Sequence, residues 1–456
     1  MERAHTHMVT NEPGTTSPPN TSTPLKRAIT GKMLFVFILG DVLGAGIYAL
    51  VGEIAGEVGG AIWLPLLVAL LMAMLTAASY AELVTKYPRA GGAAVFAERA
   101  YRRPFVSFMV GFSMLAAGVT SAAGLALAFA GDYLQVFVEI PSVAAALIFL
   151  AAVAMLNARG ITESMRANLV MTVVEVSGLV TIIALAGLVL GRGEGSPSRV
   201  LEFADGTTPA FAVLGAALLA FYSFVGFETS ANVAEEVTDV RRVYPRALLG
   251  ALVAAGAVYI LVGLAVSTVV DADTLAGSSG PLLEVVNKAD AGFPPWLFSL
   301  VALIAVANGA LLTMIMASRL TFGMARDGLL PSALSRVLPN RRTPWAAIVA
   351  TTAVAMVLCA TGSVAALAET VVLLLLVVFV STNVAVLVLR RDDARGDHFR
   401  VPTVFPVLAV VTCIVLATQQ SAETWLRALV LLAVGAVLYG VRRLATVRSG
   451  NSSATS

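Results

Sequence analysis

Phe35-Val-Phe-Ile-Leu-Gly-Asp-Val-Leu-Gly-Ala-Gly-Ile-Tyr48 is the stretch that decides the fold. It is apolar enough to sit in lipid, yet it carries an acid, Asp41, and a Gly44-Ala-Gly46 triplet near its middle. Glycine weakens a helix by about 1 kcal/mol relative to alanine and tolerates backbone that other residues do not. Unwound backbone at membrane depth persists only where it lines a cavity, because lipid cannot satisfy its N–H and C=O groups. A lone glycine pair reads equally well as a close-packing surface between helices. A second apolar stretch, Ala220-Phe-Tyr-Ser-Phe-Val-Gly-Phe-Glu-Thr-Ser230, repeats the pattern with Gly226 and Glu228. Two such stretches predict two interrupted helices.

The composition places the rest of the chain around them. Of 456 residues, 58% are hydrophobic and 13% are charged, against about 25% charged in a soluble domain. The chain belongs in lipid. A spanning helix needs about 20 apolar residues, and twelve runs qualify: about 33–57, 60–85, 104–130, 141–157, 168–191, 209–234, 247–270, 296–319, 344–361, 364–389, 402–420 and 424–444. The expected fold class is therefore an all-α membrane protein with twelve transmembrane helices, the interrupted stretches being the first and sixth. Residues 1–32, rich in Pro, Thr and Ser, are expected to form a disordered cytoplasmic tail, and 445–456 a second, carboxyl-terminal one. With both termini on one side, 26 of the 30 Lys and Arg fall on that side, which marks it as cytoplasmic.

His5, His7 and His398 all lie outside the apolar runs, so no His-based metal centre is expected in the spans. Cys359 and Cys413 sit in separate apolar runs and read as small apolar fillers. No cofactor is implied. The spans contain no His-Glu-x-x-His, Gly-x-Ser-x-Gly or Walker loop, so an enzyme lacks its residues.

If spans one to five and six to ten are inverted repeats, the interrupted helices cross at the bilayer midplane. Their half-helix amino termini then offer N–H groups and positive dipole ends to an anion, while freed carbonyls hold a cation. Such a site suits a zwitterion.

Four motifs carry a resemblance. Gly44-Ala-Gly-Ile-Tyr48 resembles the first-span Gly-x-Gly-Ile motif of the amino acid–polyamine–organocation superfamily. Phe221-Tyr-Ser-Phe-Val-Gly-Phe-Glu228, with Glu235-Glu-Val and Tyr244-Pro-Arg246, is similar to its sixth span and following loop. Ala317-Ser-Arg319 with Met324-Ala-Arg-Asp-Gly-Leu-Leu-Pro331, and Tyr80-Ala-Glu82 with Tyr87-Pro-Arg-Ala-Gly-Gly92, resemble its eighth- and second-span exits. The likeness runs from about Met33 to Leu444 and is nearest to the cationic-amino-acid-transporter-like branch.

The resemblance implies a LeuT-like five-plus-five inverted repeat, 33–191 and 209–389, followed by two further helices in 402–444. It implies a permease of the cytoplasmic membrane moving amino acids or related amines by alternating access. It also implies a substrate carboxylate at the backbone of Gly44, Ala45, Gly46 and Ile47, and an amino group at carbonyls of Phe224, Val225 and Gly226. Phe227 is expected as a gate or pocket wall.

Acids at membrane depth cost at least a few kcal/mol and each needs an explanation. Asp41 and Glu228 flank the two interruptions, where they either brace the unwound backbone or couple ions. Glu175, in Thr172-Val-Val-Glu-Val-Ser-Gly178, has no basic residue within a turn. Related transporters carry Lys at the position aligned through Glu163-Ser164 and Asn168, so their mechanism does not transfer. Three readings of Glu175 stand: a proton-coupling carboxyl for symport, a cation ligand helped by Ser318, or a structural hydrogen-bonded acid. An exchanger, or a non-transporting sensor on the same fold, is the alternative to symport. An acid-rich cavity favours neutral or cationic substrates over acidic ones.

Overall fold

The computed structural model describes residues 29–44, 46–88, 92–159, 164–206, 208–338, 343–392 and 397–452, and of 164–168 and 445–452 the backbone alone. The expected tail 1–32 therefore lies almost wholly outside the described residues, as do Ala45, Glu163 and most of the Pro-Arg-Ala-Gly motif before Gly92.

The described chain is helical: α1 (Gly31–Val42), α2 (Gly46–Val58), α3 (Trp63–Lys86), α4 (Gly92–Tyr101), α5 (Pro104–Phe129), α6 (Asp132–Gln135), α7 (Ser142–Arg159), α8 (Ser164–Gly191), α9 (Pro209–Tyr222), α10 (Val240–Val269), α11 (Ala272–Ala276), α12 (Pro281–Ala289), α13 (Pro295–Arg326), α14 (Trp345–Thr361), α15 (Val364–Leu389), α16 (Val404–Thr418) and α17 (Ala422–Ser452). A 3-10 helix, Phe227–Glu236, follows α9. Among the described residues, nine helical segments are long and apolar enough to cross a membrane, α9 counting together with the 3-10 helix as Pro209–Glu236, and α1 with α2, bent by 43°, pass together as a tenth. Two more apolar helices, α14 and α16, are shorter, at 17 and 15 residues.

The starts follow local chemistry. Thr30 and Ser363 cap α1 and α15 by accepting from Met33 N and Ala366 N. Proline opens α5, α9, α12 and α13, where its missing N–H costs no intrahelical bond. Hydroxyls inside the spans bond back to their own helix, as Thr120 does to Ala116 O (2.8 Å) and Thr382 to Val378 O (2.9 Å). Such bonds satisfy a hydroxyl within an apolar surrounding, whereas the buried hydroxyls of Ser79 and Ser299 have no hydrogen-bond partner among the described residues.

Burial divides the helices into an interior and a lipid-type exterior. α5 is buried along nearly its whole length and packs on α13 and α15, while α3 packs on α10. α7, α14, α16 and α17 expose large aliphatic side chains such as Ile148, Val357, Val411 and Val437. Exposed apolar faces on this scale suit a bilayer and not water.

The two interrupted stretches are tied to each other at both ends. Ile29, just before α1, donates to Glu236 O (2.9 Å) and accepts from Thr238 N (2.9 Å). At the far end, just past α2, Ala61 N donates to Glu202 O and Ala204 N to Val58 O (both 3.1 Å). These bridges, Ile29 with Val237 and Gly59 with Phe203, are the isolated β-pairings of the described residues.

Candidate functional site

Both predicted interruptions are present as breaks. α1 stops at Val42, Leu43 N closes it on Leu39 O (2.7 Å), and α2 starts again at Gly46. α9 stops at Tyr222, and the chain passes through Gly226 at φ +125° before the 3-10 helix starts. That φ lies where a β-carbon is strained, which is why glycine stands there.

The breaks touch. A β-carbon on Gly46 would lie 2.7 Å from Ser223 Cα, so only glycine lets the two backbones meet here. Thr229 donates its hydroxyl to the Asp41 carboxylate and lies 2.8 Å from Gly226 O. Glu228 Oε2 accepts the Gly226 N–H at 2.9 Å. Glu228 thus bonds the unwound backbone directly, and Asp41 reaches the second break through the Thr229 hydroxyl. Tyr259 of α10 lies with its hydroxyl 2.5 Å from Val42 O and 3.2 Å from Ser223 O, one group serving a freed carbonyl of each break.

A cavity of about 570 Å³ opens at this crossing. Asp41, Gly44, Gly46, Val225, Gly226 and Glu228 line it. Its opposite wall, from α5, α13 and α15, carries Met114, Leu312, Met316 and Leu375 beside Thr313 and Arg319. The two hydroxyls that bridge its sides, Ser121 of α5 and Tyr222, are 2.8 Å apart and satisfy each other. The first turn of α2 leaves the N–H groups of Gly46, Ile47 and Tyr48 without intrahelical partners.

Other expected residues stand elsewhere. Ile47 is buried and outside the cavity lining. Phe224 is buried edge-on against Tyr259 (ring centroids 5.3 Å). Phe227 stacks on Phe379 (5.4 Å) and meets Tyr80 edge-on (5.8 Å). Phe227, expected as a gate or pocket wall, lies in this aromatic cluster after the 3-10 turn at Gly226 and outside the cavity lining, which includes Tyr222.

Glu175 is fully buried in α8 behind the first break, one turn from where Thr172 packs against Gly40 of α1. Its Oε1 accepts Asn308 Nδ2 at 3.1 Å, while Oε2 has no hydrogen-bond partner among the described residues. Tyr48 fixes the same turn by donating to the Glu175 carbonyl (2.7 Å). Ser318 is not brought to it. Ten residues separate Ser318 from Asn308 on α13, about 15 Å of helix, and Ser318 instead accepts Asn157 Nδ2 (3.2 Å) and donates to Ile315 O. The paired cation-ligand reading loses its second oxygen.

Three participants escaped the sequence reading: Tyr259, Asn308's pairing with Glu175, and Arg319. The eighth apolar run, about 296–319, stops at Arg319, whereas α13 runs on to Arg326 and places Arg319 on the cavity wall. Glu82, in the last turns of α3, is buried with Arg390 (2.7 Å).

Apolar helices with lipid-type outer faces, enclosing a cavity at two broken helices, are those of a multi-pass membrane protein, and its family and relatives are transporters, not enzymes. Residues 29–437 match the amino acid permease family, and the chain belongs to it, within the amino acid–polyamine–organocation superfamily. An uncharacterized transporter of Mycobacterium tuberculosis is 32% identical over 90% of each chain. The branched-chain amino acid permease of Bacillus subtilis is 26% identical over 91% of this chain and 92% of its own. A vacuolar cationic amino acid transporter of Arabidopsis thaliana is 29% identical over 82% of this chain and 64% of its own.

Proposed function

We propose that the protein carries amino acids across the cytoplasmic membrane by alternating access, with proton symport through Glu175. The observation that carries the reading is the crossing itself: two broken helices, bound to each other by Asp41–Thr229 and Tyr259, open onto one cavity. The substrate carboxylate takes the N–H groups at Gly44, Gly46 and Ile47, and its ammonium the carbonyls near Phe224, Val225 and Gly226. Ala45, expected to share the carboxylate, lies outside the described residues. Relatives that bear the names of branched-chain and cationic amino acid carriers support this substrate class.

The twelve-span count is part of the proposal: the shorter α14 and α16 complete the set given by the nine long helices and the bent pair. Inverted repeats over 33–191 and 209–389, with 402–444 appended, are supported by the paired ties. The segment before the first broken stretch bridges to the segment after the second, and the reverse, as a two-fold axis requires. Termini on the cytoplasmic side follow from the basic residues.

Coupling rests on the buried Glu175 carboxyl with one oxygen unpartnered. In vesicles containing the purified protein, a pH gradient drives accumulation of a labelled amino acid. Glu175→Gln, which keeps the Asn308 bond, is expected to abolish that accumulation while sparing exchange of internal for external substrate. Full gradient-driven accumulation by the variant overturns the coupling role, and wild-type uptake only against internal substrate identifies an exchanger.

A further inference from the structure

Three charged side chains line the cavity: Asp41, Glu228 and Arg319. The two acids are engaged with the breaks, through Thr229 and the Gly226 N–H. Arg319 has no ion pair and no hydrogen bond among the described residues. It stands on α13 seven residues before the helix ends at Arg326, about 10 Å inside that end, and six residues beyond Thr313 on the same cavity wall. A guanidinium in a membrane-spanning helix is costly and ordinarily pairs with an anion. Among the described residues the protein supplies none, and Arg319 is an exposed residue on the cavity lining. Its planar fork is shaped for a carboxylate, which it binds through two parallel N–H donors.

We infer that Arg319 reads the substrate's carboxylate on the path between the cavity mouth and the helix breaks, so that the permease accepts carboxylate-bearing amino acids and rejects polyamines and simple amines. The inference rests on the transport reading above and narrows it. The breaks alone do not make this distinction sharply, since their carbonyls and the two flanking acids receive an ammonium whether or not a carboxylate accompanies it. A free guanidinium on the same wall does so twice: it attracts the carboxylate, and it repels the second ammonium of a diamine.

The test is ligand-induced thermal stabilisation of the purified full-length protein. The ligands are the common amino acids, the decarboxylated amine of the best-binding one, and putrescine and spermidine. A charge-assisted pair in a wet cavity predicts half-saturation by the amino acid at about ten-fold lower concentration than by its amine. Arg319→Gln is expected to bring the two within about three-fold through loss on the amino acid alone, and Arg319→Lys to keep part of the difference, as a point charge without the fork does. Several results overturn the inference and leave transport standing: an amine or putrescine binding wild type as tightly as any amino acid, an unchanged ratio in both variants, or equal weakening of both ligands. The last would make Arg319 structural. Stabilisation by none of these ligands overturns the transport reading itself, and this inference with it.

Discussion

Gly226 meets Asp41 where the two broken helices cross: a β-carbon on Gly226 would lie 2.8 Å from the Asp41 carbonyl oxygen, and the glycine sits at φ +125°. Steric room and backbone freedom are required at the same atom. Gly226→Ala is therefore expected to cost about 1–3 kcal/mol in backbone strain alone. It should lower the unfolding temperature and cut transport at least ten-fold, read by thermal unfolding and by vesicle uptake. Wild-type behaviour in both would mean that the break relaxes more freely than its geometry indicates.

Asn308 is the hydrogen-bond donor to the Glu175 carboxyl. Replacing it by Leu leaves both carboxyl oxygens bare at a fully buried site, at a cost of about 1–3 kcal/mol. Combined with Glu175→Leu, which removes the acceptor, the two changes should be strongly non-additive in thermal stability, since each removes one side of the same contact. Additive losses would separate the residues energetically.

Arg390 grips Glu82 with Nε at 2.8 Å and Nη2 at 2.7 Å, and Val401 N adds a third bond to the same carboxylate. The pair is nearly sealed from solvent and joins the end of α3 to the segment after α15. Arg390→Ala strands the acid and is expected to destabilise by about 3–5 kcal/mol. Chemical denaturation in detergent should show this, with much of the loss recovered in Arg390→Ala combined with Glu82→Ala.

On the opposite side of the bundle, Asp132 Oδ2 accepts Ser278 Oγ (3.1 Å), Ser279 N (2.8 Å) and Gly280 N (3.1 Å). This clasp seats the α11–α12 connection over the end of α5. Asp132→Ala should leave the spans folded and raise amide hydrogen exchange at Ser279 and Gly280, measured by mass spectrometry on the intact protein. Unchanged exchange there would assign the seating to other contacts.

Sequence made the breaks legible because their signals are local: Gly44-Ala-Gly46 and Gly226 announce non-helical backbone within a few residues, and an acid in an apolar run announces its own cost. Asp41, Glu228 and Glu175 were all visible in this way. What stayed hidden depends on distant partners or on rotation about a helix axis. Tyr259 looks like any tyrosine in a span until α10 lies against both breaks. Phe227 turns from the pocket into an aromatic cluster because one glycine changes the following backbone from α to 3-10. Ser318 and Asn308 share a helix, yet only one of them faces Glu175, and an apolar run does not reveal which.

The ties of Ile29 to Val237 and of Gly59 to Phe203 close the two broken helices into a ring of backbone. A ring fastened at both ends transmits a turn of one member to the other without slack, so neither half-helix swings alone. The remaining freedom lies at the glycines inside it, beside the cavity, and the joints of this machine are the same atoms that are proposed to hold its cargo.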